Sequence, residues 1–269
     1  MTQVARESPE ARLAPVHADR RTGIQVLARA ANVLRCLAES NEGLTLAQIA
    51  SRVGVARSTV HRIVVALEEE AWVRSTPTGY RPGPGLLALM PRAGVVGADL
   101  RPFLVELSRE LNETVDLSVL TGHTMTFIDQ VVAPRLLRTV SAIGRSFPIH
   151  CTANGKVVLA NHDEDAVRAL LPTSLPRLTS STITDLETLK QELELVRRSG
   201  VALDREEHTI GICAVGCALV AADGGWFAIS VPVPAQRFYG QEERLAAALL
   251  RCREDVLAAG HYVMPHSGA

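Results

Sequence analysis

No stretch of this chain is apolar for long enough to cross a bilayer. The longest such run, Ile212 to Ala222, is interrupted by Gly216 and falls well short of the ~20 residues a spanning helix needs. No apolar segment of signal-peptide type opens the sequence, so the expectation is a cytoplasmic protein with reduced thiols and no membrane partner. Cysteine is scarce: there are five, and apart from Cys213-x3-Cys217 their spacing is irregular, which argues against a disulfide framework. There is also almost no net charge, with a formal value of −1, so nothing follows from a globally basic balance. Lysine is missing from the first 98 residues altogether.

The charge that is present is unevenly placed. Residues 1–98 carry 12 arginines against 8 acids, a net of +4, whereas the rest holds 16 basic and 21 acidic side chains, a net of −5. Such asymmetry between halves suggests a basic module that meets an anionic partner, joined to a different domain. At 269 residues there is room for two domains, the larger with a substantial core.

Within the basic half, Thr45-Leu-Ala-Gln-Ile-Ala-Ser-Arg-Val-Gly-Val-Ala-Arg-Ser-Thr-Val-His-Arg-Ile-Val-Val-Ala-Leu67 reads as two helices joined at Gly54, the layout of a DNA-binding helix-turn-helix. Thr45 and Gln48 have capping-box spacing, and Leu46, Ile49, Ala50 and Val53 form the inner face of the first helix. In the second, Val60, Ile63, Val64 and Leu67 face inward. That leaves Arg57, Ser58, Thr59, His61 and Arg62 outward, where base edges and phosphates are met. An ordinary helical hairpin predicts mixed charge on that face, but acid begins only at Glu68. The N-cap position of the second helix falls on Ala56, which cannot cap.

Trp72 to Arg74 and Tyr80-Arg81 flank a turn-rich loop and predict a hairpin, the wing of a winged helix, with Arg74 and Arg81 reaching the phosphate backbone. Upstream, Leu27, Ala30, Leu34 and Leu37 form one stripe between Ile24 and Ser40, a first helix that completes a three-helix core. The expected boundaries are a disordered tail over 1–22, a winged helix-turn-helix over 23–84, a linker helix over 85–98 ended by Pro91, and a second domain over 99–264. In that domain Asp99 is expected to cap a helix running to about Asn112. Strands are expected at Val115 to Leu120, Met125 to Val132, Arg138 to Ile143, Val201 to His208, Ile212 to Val220 and Trp226 to Val233. His150 to Ala160 turns from loop to helix, and helices follow at Asp163 to Leu170, Asp185 to Ser199 and Gln241 to Ala259. Helix and strand interleave in one unit, so the second domain reads as an α+β, sensor-like sheet.

Taken together, the winged helix-turn-helix around Arg57-Ser-Thr-Val-His-Arg62, Pro148-Ile-His-Cys-Thr-Ala-Asn-Gly-Lys156 with Leu159-Ala160, Asp204-Arg-Glu-Glu-His-Thr-Ile-Gly211, and Asp223-Gly224 before Ala228-Ile-Ser-Val231 resemble the IclR family of bacterial transcription regulators. The resemblance covers almost everything from Gly23 onward. It implies a GAF-like effector domain, a homodimer or homotetramer, and operator DNA binding controlled by a small metabolite. It also implies an effector site lined by Leu136, Thr139, Phe147, Ala153, Asn154, Asp204, Ile212, Ala214, Ser230 and Pro232. Departures from the family pattern at Asn154, Ala218 and Pro232 bear on the ligand's shape more than on its location. Backbone amides at the helix start near Ala153 to Gly155 favour an anion, which suggests a small organic acid, with Asp204 calling for a hydroxyl or ammonium group at its other end.

The same residues admit other readings. Cys213 and Cys217 share a strand face as metal ligands might, but no second paired motif accompanies them, and no metal, cofactor or catalytic residue is assigned. A rival is a hydrolase-like enzyme using His150, Cys151 and Asp204 with an accessory winged helix; it leaves the recognition helix and the charge asymmetry without purpose. Another is a winged-helix protein-interaction module, which needs neither a basic wing nor a sensor domain.

Overall fold

The computed structural model describes residues 22–40, 42–89, 97–141, 143–260 and 262–264. All but the last residue of the expected 1–22 tail, and Met90 to Val96 of the expected linker helix, lie outside the described residues. The chain divides into two compact units, Met1–Gly94 and Val95–Ala269.

In the first unit, helices α1 (Thr22–Ala38), α2 (Leu46–Val53) and α3 (Arg57–Glu69) pack around Val33, Leu37, Ile49, Val60 and Val64. The capping box at the start of α2 forms: Thr45 Oγ1 accepts from the Gln48 amide at 3.3 Å, and the Thr45 amide donates to Gln48 Oε1 at 2.9 Å. Gly54 closes α2 in the left-handed region at φ 70°. The stripe on α1 is shifted from expectation. Val33 is fully buried and Leu27 is 72% exposed.

The wing consists of β1 (Val73–Thr76) and β2 (Gly79–Pro82), paired antiparallel with Arg74 opposite Arg81 and Ser75 opposite Tyr80. Leu44 adds a bridge to the far side of β2, exchanging two backbone hydrogen bonds with Tyr80 at 2.8 and 3.0 Å. Gly79 allows that approach; a Cβ there would lie 2.5 Å from the carbonyl carbon of Leu44. After the wing, α4 (Gly85–Ala88) is one turn long and falls within the expected linker helix.

The second unit comprises α5 (Arg101–Leu111), β3 (Val115–Thr121), β4 (Thr124–Val131), β5 (Ser146–Pro148), α6 (Ala153–Leu159), α7 (Glu164–Leu170), α8 (Leu186–Ser199), β6 (Ala202–Arg205), β7 (Ile212–Ala221), β8 (Trp226–Pro234), α9 (Ala235–Phe238), α10 (Glu242–Ala258) and β9 (Tyr262–Val263). The sheet runs β5-β4-β3-β8-β7-β6, with β9 on the end of β7, and every pairing is antiparallel. Alternation along β7 and β8 serves two cores. Cys213, Val215, Cys217, Ile229 and Val231 meet α5 and α10, while Ala218 and Ala228 meet α6 and α8.

Three local expectations are corrected. The described residues of 138–143 are not in a strand: Thr139 and Ser141 turn their hydroxyls onto Pro232 and Asp116, and the edge position goes to β5. Residues 206–208 leave the strand line after β6, with Glu206 at φ 61°. Asp99 lies in a 3-10 turn (Ala98–Leu100) ahead of α5 and accepts from the Tyr262 hydroxyl at 3.0 Å instead of capping.

Ala56 makes no side-chain cap hydrogen bond at the start of α3. Ala56→Ser is expected to stabilise the N-terminal unit by about 1 kcal/mol. Chemical denaturation followed by circular dichroism checks this, and an unchanged or lower stability contradicts the uncapped reading.

Candidate nucleic-acid interface and effector site

The register of the helix-turn-helix sets what α3 shows to solvent. With Val60, Ile63, Val64 and Leu67 buried, Arg57, Ser58, His61 and Arg62 are exposed and Thr59 is half-buried beside them. The first turn of α3 contains no acid. On the wing, Arg74 and Arg81 are cross-strand partners on the face opposite Ser75 and Tyr80, so two guanidinium groups project from one side. All seven residues expected at the DNA interface therefore lie on α3 or on the wing that follows it.

The second candidate site is built where α6 meets the sheet. Thr152 caps α6, its hydroxyl accepting from the Gly155 amide at 3.2 Å and donating to the Pro148 carbonyl at 2.9 Å. Two glycines let the helix sit close. A Cβ on Gly155 would lie 2.2 Å from the Ile149 carbonyl oxygen, and one on Gly216 would lie 3.0 Å from the carbonyl carbon of Ala153. Beneath α6, Asp204, Ala214 and Pro232 stand in register across β6, β7 and β8. One step along, Gly216, Ser230 and Asp116 stand in register across β7, β8 and β3. Strand alternation puts both rows, and Ile212, on the face that α6 covers.

Asn154 points its amide at Ser118 Oγ, 3.0 Å away. Thr139 Oγ1 donates to the Pro232 carbonyl at 2.8 Å, pinning the irregular segment after β4 to β8. Phe147 on β5 stacks edge-on against Phe127 and against His208, with centroids 4.9 and 4.6 Å apart. The structure thus brings Ala153, Asn154, Asp204, Ile212, Ala214, Ser230 and Pro232 onto one surface, with Thr139 and Phe147 at its margins. Leu136 is not among them; its side chain is fully exposed.

Electrostatics distinguish this surface. Burial pushes the Asp204 carboxyl up to about 7, with the charge of Glu207 adding to the effect. The Glu207 amide, donating to Asp204 Oδ1 at 2.8 Å, works the other way. Asp116, 1% exposed, is pushed up to about 6 by burial against hydrogen bonds from Ser141 and Gln130, both 2.6 Å long. Asp116 was missed in the sequence, yet Asp116 and Ser118 alternate with Val115, Leu117 and Val119, which marks one face of that strand as polar. Lys156 turns away from the surface. It is fully buried between Glu192 at 2.9 Å and Glu207 at 2.5 Å.

No activated nucleophile emerges at His150-Cys151. Burial pushes the Cys151 thiol up to about 12, the reverse of what a reactive thiolate needs, and His150 Nε2 is 3.1 Å from the Pro176 carbonyl oxygen. Cys213 and Cys217 do share a face, but it is the apolar one, and burial pushes their thiols up to about 11 and 12.

Comparison with known proteins agrees with both halves. The IclR helix-turn-helix domain matches residues 26–77, and the C-terminal domain of bacterial IclR transcriptional regulators matches residues 94–258. The chain belongs to the IclR family. It is 53% identical to the HTH-type transcriptional regulator Rv1719 of Mycobacterium tuberculosis, over 85% of this chain and 89% of that one. The crystal structure of an IclR-type regulator from Alicyclobacillus acidocaldarius superposes with a TM-score of 0.70 at 29% identity, over 87% of this chain and 98% of that one. An IclR homologue from Microbacterium hydrocarbonoxydans, crystallised with 4-hydroxybenzoate, shares the fold at a TM-score of 0.70 and 21% identity, over 86% and 97%. This IclR-family chain is a DNA-binding transcription regulator with an effector domain. Its relatives are named as regulators, not enzymes. Among the described residues, no helix is long and apolar enough to cross a membrane.

The raised Asp204 carboxyl has a signed consequence. An acid whose folded-state pKa is raised stabilises the fold below its unfolded value, 3.8, and that contribution is lost as pH rises towards about 7. His208, pushed down to about 4 by burial, runs oppositely, so the informative quantity is a difference between variants. Asp204→Asn should gain stability relative to wild type as pH rises from 4 to 7, by at most about 1.4 kcal/mol per pH unit. Urea denaturation across that range checks it, and a pH-independent difference would contradict the raised carboxyl.

Proposed function

We propose that α3 reads operator DNA through Arg57, Ser58, Thr59, His61 and Arg62, while Arg74 and Arg81 hold the phosphate backbone from the wing. The observation that carries this reading is the acid-free, cationic outer face of α3 from Arg57 to Arg62, with a wing after the helix that carries two arginines opposite each other on one side. The uncapped start of α3 adds to it, because its first amides remain available to a phosphate. One winged helix covers a half-site, so the working unit is a homodimer or homotetramer on a two-fold-related operator, in the cytoplasm. In a gel-shift or anisotropy titration on the gene's own upstream region, Arg81→Ala should weaken specific and random duplexes alike and flatten the salt dependence. Arg57→Ala should relax sequence preference, with a loss of about 1–3 kcal/mol on the preferred site. Equal binding of specific and random duplex by wild type at about 0.15 M salt would overturn the reading.

The effector is proposed to lie between α6 and the Asp204–Ala214–Pro232 and Ser230–Asp116 rows. A small organic acid fits, with its carboxylate towards the α6 start and a hydroxyl or ammonium group towards Asp204. The Gly155 amide is already taken by Thr152, so the carboxylate falls to the amides of Ala153 and Asn154. Calorimetry with hydroxy, amino and simple aromatic acids should show the donor-bearing acids binding best, with at least tenfold loss in Asn154→Leu. Binding restricted to neutral or cationic compounds and unchanged in that variant would reject the carboxylate.

A further inference from the structure

We infer that Glu68 is a positioning residue for DNA binding: an acid on the recognition helix that strengthens the grip on DNA by fixing where the wing stands. The inference rests on the proposed wing–phosphate contacts. Glu68 lies in the last turn of α3, ahead of two further exposed acids, Glu69 and Glu70. From charge alone, all three repel a polyanion and each should weaken binding. Glu68 differs in what it touches. Its Oε1 accepts the backbone amide of Ser75, in the middle of β1, at 3.0 Å. Among the described residues, neither Glu69 nor Glu70 makes a side-chain hydrogen bond to the wing.

The rest of the junction explains why one such bond matters. α3 passes into β1 through a tight turn in which Ala71 adopts φ 56°, a conformation that costs free energy for a residue with a side chain. The base of the wing is anchored by backbone bonds from Trp72 to the Leu67 carbonyl at 2.8 Å and from Gly83 to the Trp72 carbonyl at 2.7 Å. β2 has the Leu44 bridge on its far side. Among the described residues, the outer part of β1 pairs with β2 alone and has no strand beyond it. Glu68 supplies the missing partner, tying the middle of that edge strand to the recognition helix. Arg74 is the immediate neighbour of Ser75, and its partner Arg81 lies directly opposite on β2. The bond therefore sets the position of the phosphate-facing pair relative to the helix that enters the groove.

The test uses the full chain and a non-specific duplex at low salt, where phosphate contacts supply essentially all the binding. The variants are Glu68→Ala, Glu68→Gln, Glu69→Ala and Arg74→Ala, each also melted to confirm that it is folded. Glu68→Ala should bind about 3- to 10-fold more weakly, the value of one net hydrogen bond, with a shallower salt slope. Glu68→Gln keeps an acceptor and loses the charge, so it should bind as tightly as wild type or tighter. Glu69→Ala should do the same. If Glu68→Ala and Glu68→Gln both tighten binding as Glu69→Ala does, Glu68 acts only as a charge and the inference is overturned. If Arg74→Ala leaves binding unchanged, the wing–phosphate reading itself fails. If Arg74→Ala weakens binding and Glu68→Ala does not, only the positioning role fails.

Discussion

The close seating of α6 on the β7–β8 ladder is the constraint on which the effector domain depends. Those two strands are buried on both faces, which requires each side chain to fit one of two cores. On the α6 side the fit is achieved by small residues: Gly155 on the helix and Ala214, Gly216, Ala218 and Ala228 on the strands. A methyl group at Gly155 would collide with backbone at Ile149, which cannot move without displacing the loop that starts the helix. Where the small residues give way to Ser230, Pro232 and Asp204, the face becomes polar. The candidate site lies at that transition.

Polar groups under a helix are costly unless paired, and this domain pairs them in two ways. Lys156 is held between two glutamates, which leaves a buried positive charge neutralised on the side away from the site. Asp116 and Asp204 have hydrogen-bond donors but no ion-pair partner among the described residues, and burial raises both carboxyls. The Asp204 turn is further fixed from outside: the Glu207 carbonyl accepts from the Thr182 hydroxyl at 2.6 Å, and the Glu206 carbonyl from the Thr179 hydroxyl at 2.6 Å. A ligand that donates a hydrogen bond at Asp204 would thus act on a turn connected both to α8, through Glu207, Lys156 and Glu192, and to the segment before α8.

The DNA-binding unit follows a different economy. Its core is small and apolar, Arg57 and Arg62 stay exposed on α3, and its precision comes from hydrogen bonds at the joints: the Thr45 box, the left-handed Gly54, the Leu44–Tyr80 bridge and the Glu68–Ser75 tie. Each joint fixes an angle between elements too short to fix it by packing alone.

How much of this was legible in the sequence depended on range. The helix-turn-helix was readable because its determinants are local: a capping box spanning four residues, a glycine at a turn, and an apolar period that leaves Arg57, Ser58, His61 and Arg62 outside. Most helices and strands of the second domain followed from the same periodicities, and the family resemblance pointed to Asp204, Ser230 and Pro232, which share one face of the sheet. The misread segment, Arg138 to Ile143, has a strand's composition, but its hydroxyls are claimed by Pro232 and Asp116 from other strands. Leu136 and Leu27 have the side chains of core residues yet stand exposed among the described residues. Asp116, Lys156 and Glu68 acquire their meaning only from partners distant in sequence or across a turn. The local sequence alone determined the helix-turn-helix, the faces α2 and α3 turn inward, and most of the elements that follow. Register and packing decided which polar groups meet, because burial and pairing are properties of the folded neighbourhood and not of the residue.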